Sequence, residues 1–102
     1  MKKIKIGYIG SGPISNFHVP AIQELGFKIE LFYSRNYIKA LNFAKKHKIV
    51  NPQKNFNQFL IKSENLDAII LSIKTDVTAK YLKKLCKLNK PIFVEKPGAL
   101  NS

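Results

Sequence analysis

The stretch that most constrains the fold is YIGSGPIS, residues Tyr8–Ser15, in which two closely spaced glycines follow directly on an apolar run. The run Lys3–Ile9 is rich in isoleucine, and side chains branched at Cβ favour a strand. Apolar residues then recur at helical spacing, which predicts a helix from about Pro13, with Gly26 placed to end it. The residues expected on its inner face are Ile14, Phe17, Ala21, Ile22 and Leu25. A strand, a tight glycine turn and a helix are therefore expected in that order.

The letters G-S-G-P-I-S stand where a dinucleotide-binding loop reads G-x-G-x-x-G. Gly10 permits the tight turn, Gly12 lets the backbone approach a pyrophosphate, and Ser15 occupies the third position. A serine there is small, so it costs some closeness of helix packing but leaves the phosphate site in place. The N–H groups at the start of the helix would face the anion. The loop is therefore predicted to bind a dinucleotide.

Short apolar runs alternate with helical segments along the whole chain, which indicates β-α-β units and a parallel sheet. The further strands expected are Lys28–Tyr33, Ile49–Val50, residues 68–73 and Pro91–Val94. Residues 68–73, AIILSI, are apolar on both faces, which is typical of a central parallel strand. The predicted fold is α/β: a Rossmann-like doubly wound parallel sheet of about five strands in a three-layer α/β/α arrangement.

The chain carries a formal net charge of +12 at pH 7, which would suit a nucleic-acid or membrane partner. Its cations are 17 lysines and the single Arg35, spread over the whole length, whereas base and phosphate recognition favour arginine. We therefore expect solvated lysines and no nucleic-acid interface. No apolar run approaches the roughly 18 residues of a membrane span, so no membrane partner is expected. One cysteine, Cys86, excludes an internal disulfide and fits a reducing cytoplasm.

The residues after the second strand bear on the choice between NAD and NADP. An NAD-selective site has Asp or Glu at this strand end, where the carboxylate bonds the ribose 2′-hydroxyl. This chain has Ser34 and Arg35, and its nearest acid, Glu30, lies in the middle of the strand. A hydroxyl and a guanidinium suit a 2′-phosphate. The expected cofactor is NADP or NAD, with NADP favoured.

Three segments in order along the chain carry a resemblance to a known family. They are GYIGSGPISNFHVPAI, then SRN with ALNFAKKH, and finally PIFVEKPGAL. With these segments the chain resembles the N-terminal nucleotide-binding domain of the Gfo/Idh/MocA oxidoreductases, the group of glucose–fructose oxidoreductase and inositol dehydrogenase. The resemblance covers nearly all of residues 1–102 and implies an NAD(P)-binding Rossmann domain. It also implies an enzyme that transfers a hydride at a CH–OH group of a sugar or polyol derivative.

The same resemblance implies roles for particular residues. The glycine loop would hold the pyrophosphate, the end of the second strand the adenosine ribose, and the loop after the fourth strand would pass the nicotinamide. Lys96, the EKP lysine, would be the catalytic residue that orients or polarises the reacting oxygen. The cofactor-binding residues implied are Gly10, Gly12, Pro13, Ile14, Ser34, Arg35, Ser72, Ile73, Lys74, Glu95 and Lys96. No metal is implied.

Two departures from the family pattern limit the activity expected. After the fourth strand the family usually has Thr–Pro and then a histidine, where this sequence has Ile73–Lys74 and later Thr78. The sequence stops at Ser102, where the next helix should begin, so the C-terminal substrate domain and the last strand of the sheet are expected to be absent. We expect a chain that binds cofactor without turnover. It would be either a truncated gene product or a chain that needs a separate chain with the missing domain, and an exposed sheet edge would invite self-association.

Two functions from other classes stay open on the sequence. A non-enzymatic Rossmann-like module with a regulatory or scaffold role would keep the fold without the chemistry. A basic nucleic-acid-binding protein would instead use the charge of +12. Binding of duplex DNA with a steep salt dependence would favour the nucleic-acid-binding protein. Saturable binding of NADPH would instead favour the oxidoreductase domain.

Overall fold

The computed structural model describes residues 4–12, 14–73 and 75–94, which form five strands and four helices. The strands are β1 (Lys5–Ile9), β2 (Lys28–Tyr33), β3 (Pro52–Gln53), β4 (Ala68–Leu71) and β5 (Ile92–Val94). The helices are α1 (Ser15–Glu24), α2 (Tyr37–His47), α3 (Phe56–Lys62) and α4 (Thr75–Leu85). Single 3₁₀ turns, Ser63–Asn65 and Cys86–Leu88, follow α3 and α4.

The five strands form one parallel sheet in the order β3-β2-β1-β4-β5. The central strand β1 pairs with β2 on one side and with β4 on the other. Because all the strands run in the same direction, their carboxyl ends meet at one edge of the sheet. The chain order reverses at β1, and α/β sheets bind their ligands beside such a switch point. The Rossmann-like doubly wound sheet that the sequence predicts is thus confirmed.

Two apolar clusters cover the two faces of this sheet. On one face, the side chains that α1 and α2 bury are Val19, Ala40, Phe43 and Ala44. On the other face, the side chains that α3 and α4 bury are Phe56, Phe59, Tyr81 and Leu85. The described residues therefore form the three layers α/β/α. The helices on each face exclude water from the strand residues that they cover.

A bulge in β2 decides which face its last residue meets. Ile6 of β1 pairs with Ile29, but the next residue pairs with Leu31, so Glu30 is an extra residue in the ladder. Ile29 therefore packs on the α1–α2 side, whereas Leu31 and Tyr33 pack on the α3–α4 side. Without the extra residue, the strict alternation of a strand would keep all three on one face.

The third strand differs from the predicted Ile49–Val50. Ile49 is instead buried in the α1–α2 cluster, and pairing with β2 begins at Pro52. Lys48 and Asn51, both with φ of 56°, turn the chain between α2 and β3. Nδ2 of Asn51 also donates to a β2 carbonyl at 3.2 Å, which fixes the second turn. The strand that results is a two-residue edge strand, a position where proline is tolerated.

Helix α1 presents a different face to the sheet from the one predicted. Phe17 and Leu25 are 69% and 73% exposed, whereas Ser15 and Val19 are fully buried. The sheet carries the large side chain of Tyr8 beneath the first turn, where it contacts Ser15. A small residue is therefore needed at that point, and this need outweighs the burial of Phe17.

The helix ends follow from local chemistry. Gly26 has a φ of 93° and stops α1 as predicted, with its amide donating to the Gln23 carbonyl at 3.0 Å. Asn36 caps α2, because its Oδ1 accepts the amide of Lys39 at 3.1 Å. The cap stands three residues after the end of β2, so it fixes the start of α2 beside the carboxyl end of that strand.

Candidate functional site

A groove of about 420 Å³ opens at the carboxyl ends of β1, β2 and β4. The predicted cofactor-binding residues that line it are Gly10, Gly12, Ser34, Arg35, Ser72 and Ile73. The lining residues that the sequence did not identify as part of the site are Ile9, Ser11, Tyr33, Asn36, Lys39 and Tyr81. Three loops that are far apart in the sequence thus meet in one place.

Gly10 stands where these three loops are closest together. Its φ is 127°, a conformation that L side chains rarely adopt, and its amide donates to the Tyr33 carbonyl at 2.9 Å. A Cβ built on Gly10 would overlap the carbonyl oxygen of Ser72 and lie 2.9 Å from its carbon. Both the backbone conformation and the space therefore require glycine, and the end of β1 is locked against β2 and β4.

Gly12, the second glycine of the loop, faces open space. A Cβ built on it meets no other heavy atom within 4 Å, so packing does not require glycine here. Its carbonyl accepts the amide of Ser15 at 3.0 Å, which joins the loop to the first turn of α1. Ile14 is the N-cap residue, and no side chain of the described residues caps this helix end. The first N–H groups of a helix point out of its end, which favours an anion in the open space.

The end of β2 places hydroxyl and cationic groups on the groove. Oγ of Ser34 lies 2.6 Å from Oγ of Ser11 in the glycine loop, so one hydroxyl donates to the other. Arg35 is exposed, and Lys39 lies one turn along in α2. None of the described residues that line the groove is a carboxylate. Glu30 is occupied away from the groove, by an ion pair of 3.0 Å with the first lysine of β2.

Two tyrosines form an aromatic wall of the groove. Tyr33 ends β2 and Tyr81 lies on α4, with ring centroids 6.2 Å apart in an edge-on arrangement. Burial, together with a side-chain hydrogen bond to Tyr81, raises the pKa of Tyr33 to about 12. Phe56 supports the pair from α3, with its centroid 4.6 Å from that of Tyr81. An aromatic wall beside hydroxyls and cations suits a planar ligand that carries phosphate.

Among the described residues, one predicted site residue is not brought to this groove. Ile14 is half-buried at the start of α1 and does not line it. Pro13, Lys74, Glu95 and Lys96 lie outside the described residues, and their roles stay predictions.

Within the described part of the chain, no imidazole lines the groove. His18 lies in α1 and His47 in the last turn of α2. Nε2 of His47 is 3.0 Å from Oδ1 of Asn16, and burial, together with the charge of Lys46, lowers the pKa of His47. The described residues contain no group of three His, Cys, Asp or Glu side chains that could hold a metal, and no helix long and apolar enough for a membrane crossing.

Comparison with known proteins gives a match over almost the whole chain. Residues 4–102 match the Gfo/Idh/MocA model, which describes an oxidoreductase family with an NAD-binding Rossmann fold. The uncharacterized protein YMR315W of Saccharomyces cerevisiae is 30% identical over 105 residues, which cover 99% of this chain and 30% of that protein.

Solved structures agree with the fold. The WlbA dehydrogenase from Bordetella pertussis, in complex with NADH and UDP-GlcNAcA, has a TM-score of 0.83 at 21% identity, over 94% of this chain and 29% of that one. KijD10, a 3-ketoreductase from Actinomadura kijaniata in complex with NADP and TDP-benzene, has a TM-score of 0.81 at 20% identity, over 94% and 30%. At these identities the likeness shows the fold alone. The chain spans about 30% of the length of the relatives that it matches.

Proposed function

The chain belongs to the Gfo/Idh/MocA oxidoreductase family through its NAD-binding Rossmann fold, and from that premise we propose that its groove binds NADP in preference to NAD. The observation that carries the proposal is the junction at Gly10. There the ends of three strands approach so closely that a single Cβ would overlap the Ser72 carbonyl. The open space in front of Gly12 and the uncapped start of α1 give a diphosphate room and donors. The residues present therefore fit a dinucleotide.

Each part of the cofactor has a matching part of the groove. The diphosphate would lie against the Gly10–Gly12 loop, and the adenosine ribose against Ser34 and Arg35. The nicotinamide end would pass Ser72 and Ile73 after β4, the third loop that lines the groove. This order follows the carboxyl ends of β2, β1 and β4 across the sheet, which is the path expected at a switch point.

The preference for NADP is supported by the charges at the end of β2. The hydroxyls of Ser11 and Ser34 stand 2.6 Å apart, and the one that accepts in this pair keeps its own proton to donate to a phosphate oxygen. Arg35 and Lys39 supply cations on the same side of the groove. None of the described lining residues is a carboxylate that would repel a 2′-phosphate or bond a free ribose 2′-hydroxyl.

For the whole protein, the proposed reaction is hydride transfer at a CH–OH group of a sugar or polyol derivative. The bound nicotinamide would accept or supply the hydride. Residues of this chain would hold and orient the cofactor, with Pro13, Lys74 and Glu95 as further proposed contacts and Ile14 as a proposed contact through its backbone at the start of α1. Lys96 is the proposed catalytic residue, which would orient or polarise the reacting oxygen. The WlbA dehydrogenase structure contains UDP-GlcNAcA together with NADH, and this supports a sugar as the substrate class.

The proposal assigns cofactor binding without turnover to these 102 residues by themselves. Proton transfer needs a titratable group within hydrogen-bond reach of the substrate, and the described groove offers tyrosine, lysine and arginine side chains but neither a carboxylate nor an imidazole. Further groups would come from additional polypeptide, in a longer protein or in a separate chain. The edge strand β5, where Phe93 and Val94 are 60% and 44% exposed, supports pairing with an added strand or a second copy. The single cysteine supports a reducing compartment such as the cytoplasm.

Calorimetric titration of the full chain with NADPH and with NADH tests the proposal. We expect saturable binding of both, tighter for NADPH. Arg35→Ala should weaken NADPH binding by about tenfold, because it removes a charge-assisted hydrogen bond to the 2′-phosphate, and should change NADH binding much less. Lys45→Ala is the matched control, since it removes an exposed cation in the last turn of α2, away from the groove.

Two outcomes would refute this function. The first is the absence of saturable binding of either cofactor to the folded chain. The second is far tighter, steeply salt-dependent binding of random duplex DNA, which would show that the net charge of +12 carries the function.

A further inference from the structure

The third position of the glycine fingerprint, Ser15, makes a buried hydrogen bond to the sheet. The hydroxyl of Tyr8 donates to Oγ of Ser15 at 3.0 Å, and both residues are fully buried. Tyr8 lies on β1 just before the glycine loop, and Ser15 is the first residue of α1. Neither of them lines the groove. The bond therefore joins the two elements that flank the loop without contacting a ligand.

The ring of Tyr8 is packed against other aromatic rings on its own face of the sheet. Its ring stacks with Phe32 of β2 at a centroid distance of 6.2 Å, and Phe32 stacks with Phe43 of α2 at 5.3 Å. This row of three rings spans two strands and a helix. These ring contacts restrict where the hydroxyl can lie, so its bond to Ser15 ties the first turn of α1 to one point on the sheet.

The pair replaces what glycine normally does at this position. A third glycine lets the helix pack against the strand without any side chain between them. Here Ser15 and the tyrosine beneath it fill that space, so these two side chains set the distance between α1 and the sheet. The amide of Ser15 also donates to the Gly12 carbonyl at 3.0 Å. A shift of Ser15 would therefore move the glycine loop with it.

We infer that Tyr8 is a positioning residue of the cofactor site: its hydroxyl, bonded to Ser15, holds the first turn of α1 and the glycine loop where they contact the cofactor diphosphate. The inference rests on the proposed function, since it requires a dinucleotide in the groove. Tyr8 acts through Ser15 and does not touch the cofactor. Loosening the bond weakens the diphosphate contacts but spares the 2′-phosphate contacts of Arg35 and Lys39, which follow β2.

The test compares two ligands on the full chain by calorimetry. NADPH contains the diphosphate, whereas adenosine 2′-monophosphate contains the 2′-phosphate without it. Tyr8→Phe keeps the ring and removes the donor, and Ser15→Gly restores the usual fingerprint residue while removing the acceptor. Each should raise the Kd for NADPH by about three- to tenfold, the effect of one neutral hydrogen bond, and should change the Kd for adenosine 2′-monophosphate by less than about twofold. The double variant should lose no more than either single variant.

Tyr37→Phe is the matched control, because Tyr37 is a half-buried tyrosine at the start of α2 that does not line the groove. It should leave both affinities unchanged. Equal losses for both ligands in Tyr8→Phe and Ser15→Gly would show a general structural role and overturn the inference. If the wild-type chain binds NADPH and neither variant changes its Kd, the inference about Tyr8 is overturned but the proposed function stands. A wild-type chain that binds no NADPH would overturn the proposed function as well.

Discussion

Replacing each glycine of the loop by alanine is predicted to affect a different property. Gly10→Ala should lower the free energy of unfolding, whereas Gly12→Ala should lower the affinity for NADPH. In Gly10→Ala, the new Cβ must adopt a φ of 127° and would overlap the carbonyl of Ser72. A non-glycine residue in such a conformation costs about 1–3 kcal/mol, and displacing the β4 backbone adds to this. We expect a loss of about 2–4 kcal/mol in the free energy of unfolding, a large part of the total for a small domain. For about 100 residues this lowers Tm by at least about 8 °C.

Gly12→Ala has no such cost. The built Cβ meets no heavy atom within 4 Å, and its backbone lies outside the left-handed region. The free energy of unfolding should change by less than about 1 kcal/mol, and the change can be a gain because alanine restricts the unfolded chain. The affinity for NADPH should nevertheless fall at least tenfold, since the methyl group occupies the space in front of the uncapped start of α1.

Urea unfolding followed by circular dichroism measures the first quantity, and calorimetric titration with NADPH measures the second. We expect the two effects to be separate: Gly10→Ala loses stability, and Gly12→Ala loses affinity for NADPH. Similar stability losses in both variants would refute the assignment of Gly10 to the strand junction. Unchanged NADPH affinity in a folded Gly12→Ala variant would refute the phosphate site.

Two further predictions concern the frame around the site. Asn36→Ala should cost about 1 kcal/mol in the free energy of unfolding, because it removes the cap of α2. Asn42→Ala, an exposed substitution within the same helix, should cost nothing in the same urea series. His47 has a folded pKa below its ordinary 6.5. The contribution of neutral His47 to the free energy of unfolding should be fully present above about pH 6.5. It should decline as pH falls through the lowered pKa, because the folded state binds the proton less readily than the unfolded chain. His47→Gln should flatten this decline in urea unfolding, and an unchanged pH profile would contradict it.

The alternation of strands and helices was readable from the sequence because most elements have a one-sided or fully apolar pattern. β2 lies where its apolar run predicts it, at Lys28–Tyr33. β3 was misplaced because a two-residue edge strand has no pattern of its own. The left-handed residues Lys48 and Asn51 move it past the apolar Ile49–Val50. The prediction of which side of α1 faces the sheet was wrong for another reason. The limited space above Tyr8 requires a small residue, Ser15, and the spacing of apolar residues gives no sign of this requirement.

The sequence predicts the part of the site that lies in loops at the ends of strands. Parallel strands bring such loops together at one edge, so the sequence groups Gly10 with Ser34, whereas Ser72 was implied only by the family resemblance. Lys39 and Tyr81 were missed as groove residues because they lie inside helices, where membership of the site depends on helix rotation. The aromatic contact of Tyr81 with Tyr33 is visible only in the packed molecule.

Backbone NMR of the ¹⁵N-labelled full chain, titrated with NADPH, tests most directly whether the glycine loop is a dinucleotide site. We expect saturable shifts at the amides of the groove residues, largest at Gly10, Gly12 and Ser34, with little change away from the groove. Lys28 and Lys48 provide the internal comparison, because Lys28 begins β2 at the opposite end of the sheet and Lys48 follows α2. Shifts centred on these lysines, or no shifts in the loop at saturating NADPH, would contradict a dinucleotide site at the glycine loop.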